Sequence, residues 1–292
     1  MRKINHLNIS LIYASITFFL IFLSYFFDSK IQENSIIFLL LVVTFFGLPH
    51  GALDTLVAKK NKVYSNFYGF SLFNLGYLSL ASSIFFIWYL VPFLSLIIFL
   101  LISAWHFSED WKNQLNTFQR TILGLNIINL PVFFYPNEVT IIYEILVDKV
   151  NILPLISIQE NLMYILFLLL GIVIARNTNN KLLLFQITTI FLSSIFLSPL
   201  YYFISYFCFF HSIKNFHETV NELKTEKDKI MIFLIINTII TVIFGFFLFF
   251  FFLDGPITSK IVSMVFIGLA SLTVPHMLLK ISINNKKRSS LL

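Results

Sequence analysis

Six histidines are the residues of this chain best suited to chemistry: His6, His50, His106, His211, His217 and His276. Neutral imidazole is a common metal ligand and suits iron, copper, zinc and nickel. The one cysteine, Cys208, excludes an intramolecular disulfide and a cysteine-rich zinc site, so a metal here would rest on imidazole. Four of the histidines precede a lysine at short range. His50 lies nine residues before Lys59, His106 six before Lys112, His211 three before Lys214 and His276 four before Lys280. At 1.5 Å per helical residue, these offsets put four imidazoles roughly 4 to 14 Å from a basic flank. One histidine in an apolar helix reads as a helix–helix hydrogen-bonding residue. Four at matching depth point to a shared metal site. His6 falls in the polar N-terminal tail and reads as an ordinary solvated side chain.

Acids accompany two of the four. Asp54 follows His50 by four residues and Asp110 follows His106 by four, so each shares a helical face with its histidine. An acid so placed holds an imidazole tautomer from behind the metal, or binds the metal itself. Glu109 reads instead as a headgroup residue ending its span. Pro49 and Pro275 each precede a histidine and open the helix locally. Gly47 and Gly51 form a small-xxx-small pair that admits a close neighbour beside His50. Trp111 reads as a residue of the interfacial aromatic belt, while Trp105 is a candidate wall for a substrate channel.

The elements that must carry these residues are membrane helices. Of 292 residues, 58% are hydrophobic and 12% charged, with mean hydropathy +0.87. Too little polar surface remains to cover a soluble domain. A lipid-spanning β-barrel would show short alternating segments rather than continuous apolar runs. The fold expected is all-α, a polytopic integral membrane helical bundle. At about 20 apolar residues per span, ten spans are predicted, with eight as the lower bound. They run near 9–27, 36–57, 66–90, 93–110, 117–135, 159–175, 181–198, 201–218, 229–253 and 257–280. Breaks are expected at Pro92 and at Ser198-Pro199, and the segment 137–159 is a candidate interfacial helix. The first apolar run is long for a cleaved signal and reads as the first span. The whole chain, 1–292, is expected to form one membrane domain with short loops.

Basic residues fall in every second connection: Arg2 and Lys3, Lys59 to Lys62, Lys112 and Arg120, Arg176 and Lys181, Lys214 to Lys229, and Lys280 to Arg288. The alternate connections hold Asp28, Glu33, Glu138 and Asp254. The positive-inside rule then puts both termini in the cytoplasm, and the net charge of +6 fits a membrane surface rather than nucleic acid. Four histidine-bearing spans, the second, fourth, eighth and tenth, all run the same way.

Four segments carry a family resemblance: Phe-Gly-Leu-Pro-His-Gly-Ala-Leu-Asp from Phe46, Trp-His-Phe-Ser-Glu-Asp from Trp105, Phe-Cys-Phe-Phe-His-Ser from Phe207, and Val-Pro-His-Met from Val274. In order and spacing the chain resembles the Brp/Blh family of bacterial β-carotene 15,15′-dioxygenases. The resemblance implies a multi-pass enzyme of the bacterial inner membrane. Its iron, Fe(2+), serves cleavage of β-carotene at the central double bond with O2, giving two all-trans-retinal, often for a microbial rhodopsin. It makes His50, His106 and His211 iron ligands; by depth His276 is the better-placed fourth ligand, with His217 second to it. Where the family often has another histidine, four residues after His211, this chain has Asn215. Asp54, Asp110 and Asn215 are expected behind the ligands, and Trp105, Tyr206 and Phe210 against the substrate. The alternative is a histidine-based metal-ion or proton-coupled transporter. It is disfavoured because the polar groups crowd one leaflet instead of crossing both. A di-iron desaturase would need more histidines than this chain has.

Overall fold

Backbone amides in lipid have to be satisfied within their own segment, and continuous apolar runs therefore fold as helices. A computed structural model describes residues 6–147, 151–224 and 227–289; the side chains of 27–35, His50 and 287–289 fall outside that description. Among the described residues there are helices and turns but no strand. The α-helices are α1 (His6–Val42), α2 (Asp54–Lys60), α3 (Phe67–Leu90), α4 (Pro92–Ser108), α5 (Thr117–Phe134) and α6 (Pro136–Val147). They continue with α7 (Leu153–Arg176), α8 (Lys181–Phe196), α9 (Pro199–Phe203), α10 (Ile213–Leu223), α11 (Lys227–Phe251) and α12 (Ile257–Ser289).

Six of the described helices are long and apolar enough to cross a membrane, or seven if α5 and α6 together make one bent span. That is fewer than the predicted ten, and the reasons are local. Residues 28–35 contain neither proline nor glycine, so the backbone runs through them as one 37-residue helix, α1, instead of turning between two spans. The predicted second span then breaks into a π-helical turn (Val43–Gly47), a 3-10 turn (Leu48–His50) and the seven-residue α2. The predicted eighth span divides into α9, a nine-residue π-helix (Ile204–Ser212) and α10. The candidate interfacial segment contains α6, bent 109° from α5, and α7 begins at Leu153 rather than near 159. Proline accounts for the sharp stops. Val91, Tyr135 and Ser198 each precede a proline that starts the next helix, and each leaves the α-helical region as that position demands. Arg2 and Lys3 lie outside the described residues, as do the side chains of Asp28, Glu33 and Arg288.

Contacts divide the chain into two compact units, Met1–Gly47 with Leu96–Lys214, and Leu48–Ser95 with Asn215–Leu292. In the first, α1 packs on α8, on α9 and on the π-helix, while α5 packs on α7. Buried polar pairs tie these helices. Trp111 Nε1 donates to Gln186 at 2.9 Å, Gln186 donates to Ser10 at 2.8 Å, and Thr17 meets Ser205 at 2.6 Å. Trp111 is thus a core residue, fully buried, not the belt residue expected from its flank position. Gly124 on α5 matters for the site: a Cβ there would run into the carbonyl oxygen of Ala104, so only glycine lets α5 approach α4 this closely.

In the second unit α3 lies along α12, with α2 against both and α11 against α12. Helix α10 is amphipathic. Phe216, Val220 and Leu223 cluster with Leu53, Leu56 and Ile230, while Asn215, Glu218 and Glu222 hold polar positions between them.

Candidate functional site

The first unit brings together His106, Asp110, Tyr206 and His211. His106 sits in the last turn of α4, and Asp110 follows in a 3-10 turn, Glu109–Trp111, that ends the span. Tyr206 and His211 both belong to the π-helix. On a regular α-helix, positions five apart diverge by about 140°. Ring closure by i→i+5 bonds turns them toward one face, and both reach the same carboxylate. The Tyr206 hydroxyl donates to Asp110 Oδ2 at 2.7 Å, and His211 Nδ1 lies 3.0 Å from that oxygen.

A carboxylate only accepts, so His211 carries its proton on Nδ1 and, when neutral, its lone pair on Nε2. That Nε2 faces His106 Nε2 at 3.0 Å. Two donors on one metal at bonds of about 2.1 Å and a right angle would stand about 3 Å apart. The pair therefore has the spacing of adjacent ligands. His211 and Asp110 are essentially fully buried, at 0% and 1% side-chain exposure. Phe107 and Phe207 wall the imidazole, with ring centres 5.0 and 5.9 Å from that of His211.

The second unit brings together Asp54, Tyr77 and His276. Asp54 opens α2, straight after the irregular stretch Leu48–Leu53. The Tyr77 hydroxyl, from α3, donates to Asp54 Oδ2 at 2.8 Å. His276 Nδ1, from α12, lies 2.9 and 2.8 Å from the two carboxylate oxygens. This imidazole too has its proton on Nδ1 and its lone pair on Nε2. Irregular backbone in an apolar setting needs partners, and side chains provide them. Asn237 donates to the Ala52 carbonyl at 2.6 Å, and in the first turn of α2 Tyr64 donates to the Thr55 carbonyl at 2.9 Å and the Thr55 hydroxyl to Asn74 at 3.1 Å.

Both carboxylates thus bind histidines from distant segments. The expectation that Asp110 shares a helical face with His106 assumed an unbroken helix, and this acid sits where α4 gives way to a 3-10 turn. The side chain of His50 lies outside the described residues; its backbone ends the 3-10 turn after Pro49. His217, on α10, is buried and meets the amide nitrogen of Asn221 at 3.2 Å. Asn215 accepts from Lys280 at 2.8 Å. Phe210 is stacked on Trp111 and beside Tyr13 and Tyr206. Trp105 is 40% exposed, with the Arg120 guanidinium 5.2 Å from its ring. Among the described residues no three His, Cys, Asp or Glu side chains converge in a metal cage, so the donors stand as a pair in one unit and a single oriented imidazole in the other. Their chemistry nonetheless fits a metal bound by neutral imidazole.

Tyr77 went unseen in the sequence. Its only signal was a hydroxyl within an apolar span, and many tyrosines share it. Tyr206 was expected to touch substrate, and the five-residue spacing to His211 is informative only once the π-helix is known.

A family model described as β-carotene 15,15′-dioxygenase matches residues 40–282, a range that holds every carboxylate and histidine of both clusters. A curated relative, the β-carotene 15,15′-dioxygenase of the uncultured marine bacterium 66A03, is 33% identical over 258 residues. The match covers 82% of this chain and 90% of the relative. No solved structure matches.

Proposed function

Since the chain belongs to the β-carotene 15,15′-dioxygenase family, we propose that it performs its reaction with one ferrous iron held by His50, His106, His211 and His276. The protein is a multi-pass helical enzyme that cleaves β-carotene to retinal. This displaces the transporter alternative. The observation that carries the iron reading is the buried His106–His211 pair, 3.0 Å apart, with one member fixed by a carboxylate. His276 is preferred as the fourth ligand because its Nδ1 has a carboxylate partner, the arrangement that raises ligand basicity.

Iron, when bound, supplies the activation of O2 that a closed-shell polyene otherwise resists. The rest falls to the chain. Asp110 and Asp54 keep the His211 and His276 protons on Nδ1, so that Nε2 stays a donor. Phe107 and Phe207 keep water from the His211 imidazole, which protects reactive species. We assign Trp105 as the contact for a polyene arriving from lipid, with Tyr206 and Phe210 adding ring surface. The central double bond breaks and each of its carbons takes one oxygen atom of O2, which needs no external electrons. The enzyme would sit in the bacterial inner membrane with both termini inside, and its retinal would serve a microbial rhodopsin.

The test is expression in bacterial cells that make β-carotene, followed by chromatography for retinal and metal analysis of the purified enzyme. Retinal with about one iron per chain is expected. An active enzyme purified free of iron would overturn the iron assignment, and intact carotene beside folded, iron-loaded protein would overturn the reaction.

A further inference from the structure

Each unit holds a carboxylate between a histidine and a tyrosine, and the tyrosine hydroxyls have no part in the reaction described above. In the first unit the phenol donates to the oxygen that the imidazole approaches, Asp110 Oδ2. In the second, Tyr77 donates to Asp54 Oδ2, one of the two oxygens that His276 Nδ1 approaches. A lone carboxylate can rotate about its last torsion and present either oxygen. One hydrogen bond from the imidazole restrains that rotation weakly; a second, from another backbone position, fixes it. Tyr206 is 1% exposed and makes ring contacts with Phe107, Phe210 and Tyr13, so its hydroxyl has little freedom to leave. Tyr77 comes from α3, while Asp54 and His276 come from α2 and α12, so its hydrogen bond links a third element to the imidazole.

We propose that Tyr206 and Tyr77 are positioning residues that hold the metal-facing imidazoles of His211 and His276 through their carboxylates. The inference rests on the iron reading. It assigns the two hydroxyls a common task in units that share no backbone design. Each phenol keeps one carboxylate oxygen turned to its histidine, and so keeps Nε2 directed at the metal. Hydroxyl loss should leave the fold intact and loosen the metal.

The experiment uses full-length protein in detergent and four chains: wild type, Tyr206→Phe, Tyr77→Phe and, as a control, Tyr202→Phe. Tyr202 is a buried neighbour in sequence whose hydroxyl donates to the Ile127 carbonyl at 3.0 Å and touches no carboxylate. Fe(II) affinity is measured by competition with a chelator, and the melting temperature of each metal-free chain is recorded. Removing support of this kind weakens metal binding by about 10- to 100-fold. That loss is expected for Tyr206→Phe and Tyr77→Phe, with Tyr202→Phe at wild-type affinity and all three metal-free chains melting alike. A double variant, Tyr206→Phe with Asp110→Asn, should bind no more weakly than Asp110→Asn alone, because the hydroxyl acts through that carboxylate. Wild-type affinity in Tyr206→Phe and Tyr77→Phe would overturn the inference and leave the iron reading standing. Equal losses in all three variants would overturn it as well, since any buried hydroxyl would then do. A wild-type enzyme that releases retinal yet binds no iron would bring down the iron reading and the inference together, a pattern distinct from either.

Discussion

The two units reach one chemical arrangement by different backbone routes. In the first, the tyrosine and the histidine come from a single π-helix, five residues apart, and meet an acid that ends α4. In the second they come from α3 and α12, separate helices, and meet an acid that begins α2. The shared element is the acid's setting. Asp110 and Asp54 both stand where a regular helix is interrupted, and each serves a histidine of a distant segment. The difference lies in enclosure. The His211–Asp110 pair is 0% and 1% exposed, against 5% and 9% for His276 and Asp54. A charge partner that is fully shielded from water has no substitute when removed, so the first unit should be the less tolerant of change.

The largest effect that can break this comparison is removal of an imidazole. His106→Ala or His211→Ala should reduce retinal release by more than about 100-fold, since a missing ligand costs more than missing support, while membrane levels of the protein stay normal. Chromatography of carotene-producing cells reads the first and immunoblotting the second. Turnover retained in either variant removes that residue from the ligand set. The acids come next. Asp110→Asn and Asp54→Asn should each weaken iron binding, within about 10- to 100-fold, and Asp110→Asn should lie at the upper end. A larger loss from Asp54→Asn would reverse the ranking and show that enclosure is not what distinguishes the units.

Legibility in the sequence followed the same division. Helices whose ends are set by proline, such as α3, α4 and α5, were readable because a residue before proline has few backbone choices. The candidate chemistry was readable too, since His106, Asp110, His211, Asp54 and His276 are all costly residues in an apolar chain. Their pairing was not. It depends on a π-helix over Ile204–Ser212 and on a broken stretch around Pro49, and no residue type marks the first of these. A regular 3.6-residue period sends Tyr206 and His211 to different faces and ties each acid to the histidine four residues before it. The span count failed for a related reason. Charges at 28–35 suggested a loop, but without proline or glycine the backbone had nothing to make it turn.

Packing gives a smaller test of the contrast. Gly124 on α5 abuts the Ala104 backbone two residues before His106, and an added methyl meets the carbonyl oxygen rather than a flexible side chain. Gly124→Ala should therefore cost about 1–3 kcal/mol and impair retinal release, because α4 has to move with its histidine. In the second unit Gly76, one residue before Tyr77, has nothing within 4 Å of an added Cβ. Gly76→Ala should leave activity unchanged and, if anything, raise stability by up to about 1 kcal/mol through helix propensity. Thermal melting with an activity assay checks both.

The smallest expected effect concerns the irregular stretch before Asp54. Asn237 on α11 donates to the Ala52 carbonyl at 2.6 Å, in a segment whose backbone is not helical. Side-chain hydrogen bonds between membrane helices contribute about 0.6 kcal/mol, rarely reaching 1.7. Asn237→Leu should lower stability by that order and reduce retinal release by no more than a few-fold, as Tyr64 and Asn74 still hold the turn. Thr241→Val, one turn further along α11, removes a hydroxyl that bonds only its own helix, to the Asn237 carbonyl at 2.9 Å, and should change neither. If the two variants behave alike, the segment that presents Asp54 is held by Tyr64 and Asn74 without α11, and the second unit depends on fewer elements than its hydrogen bonds suggest.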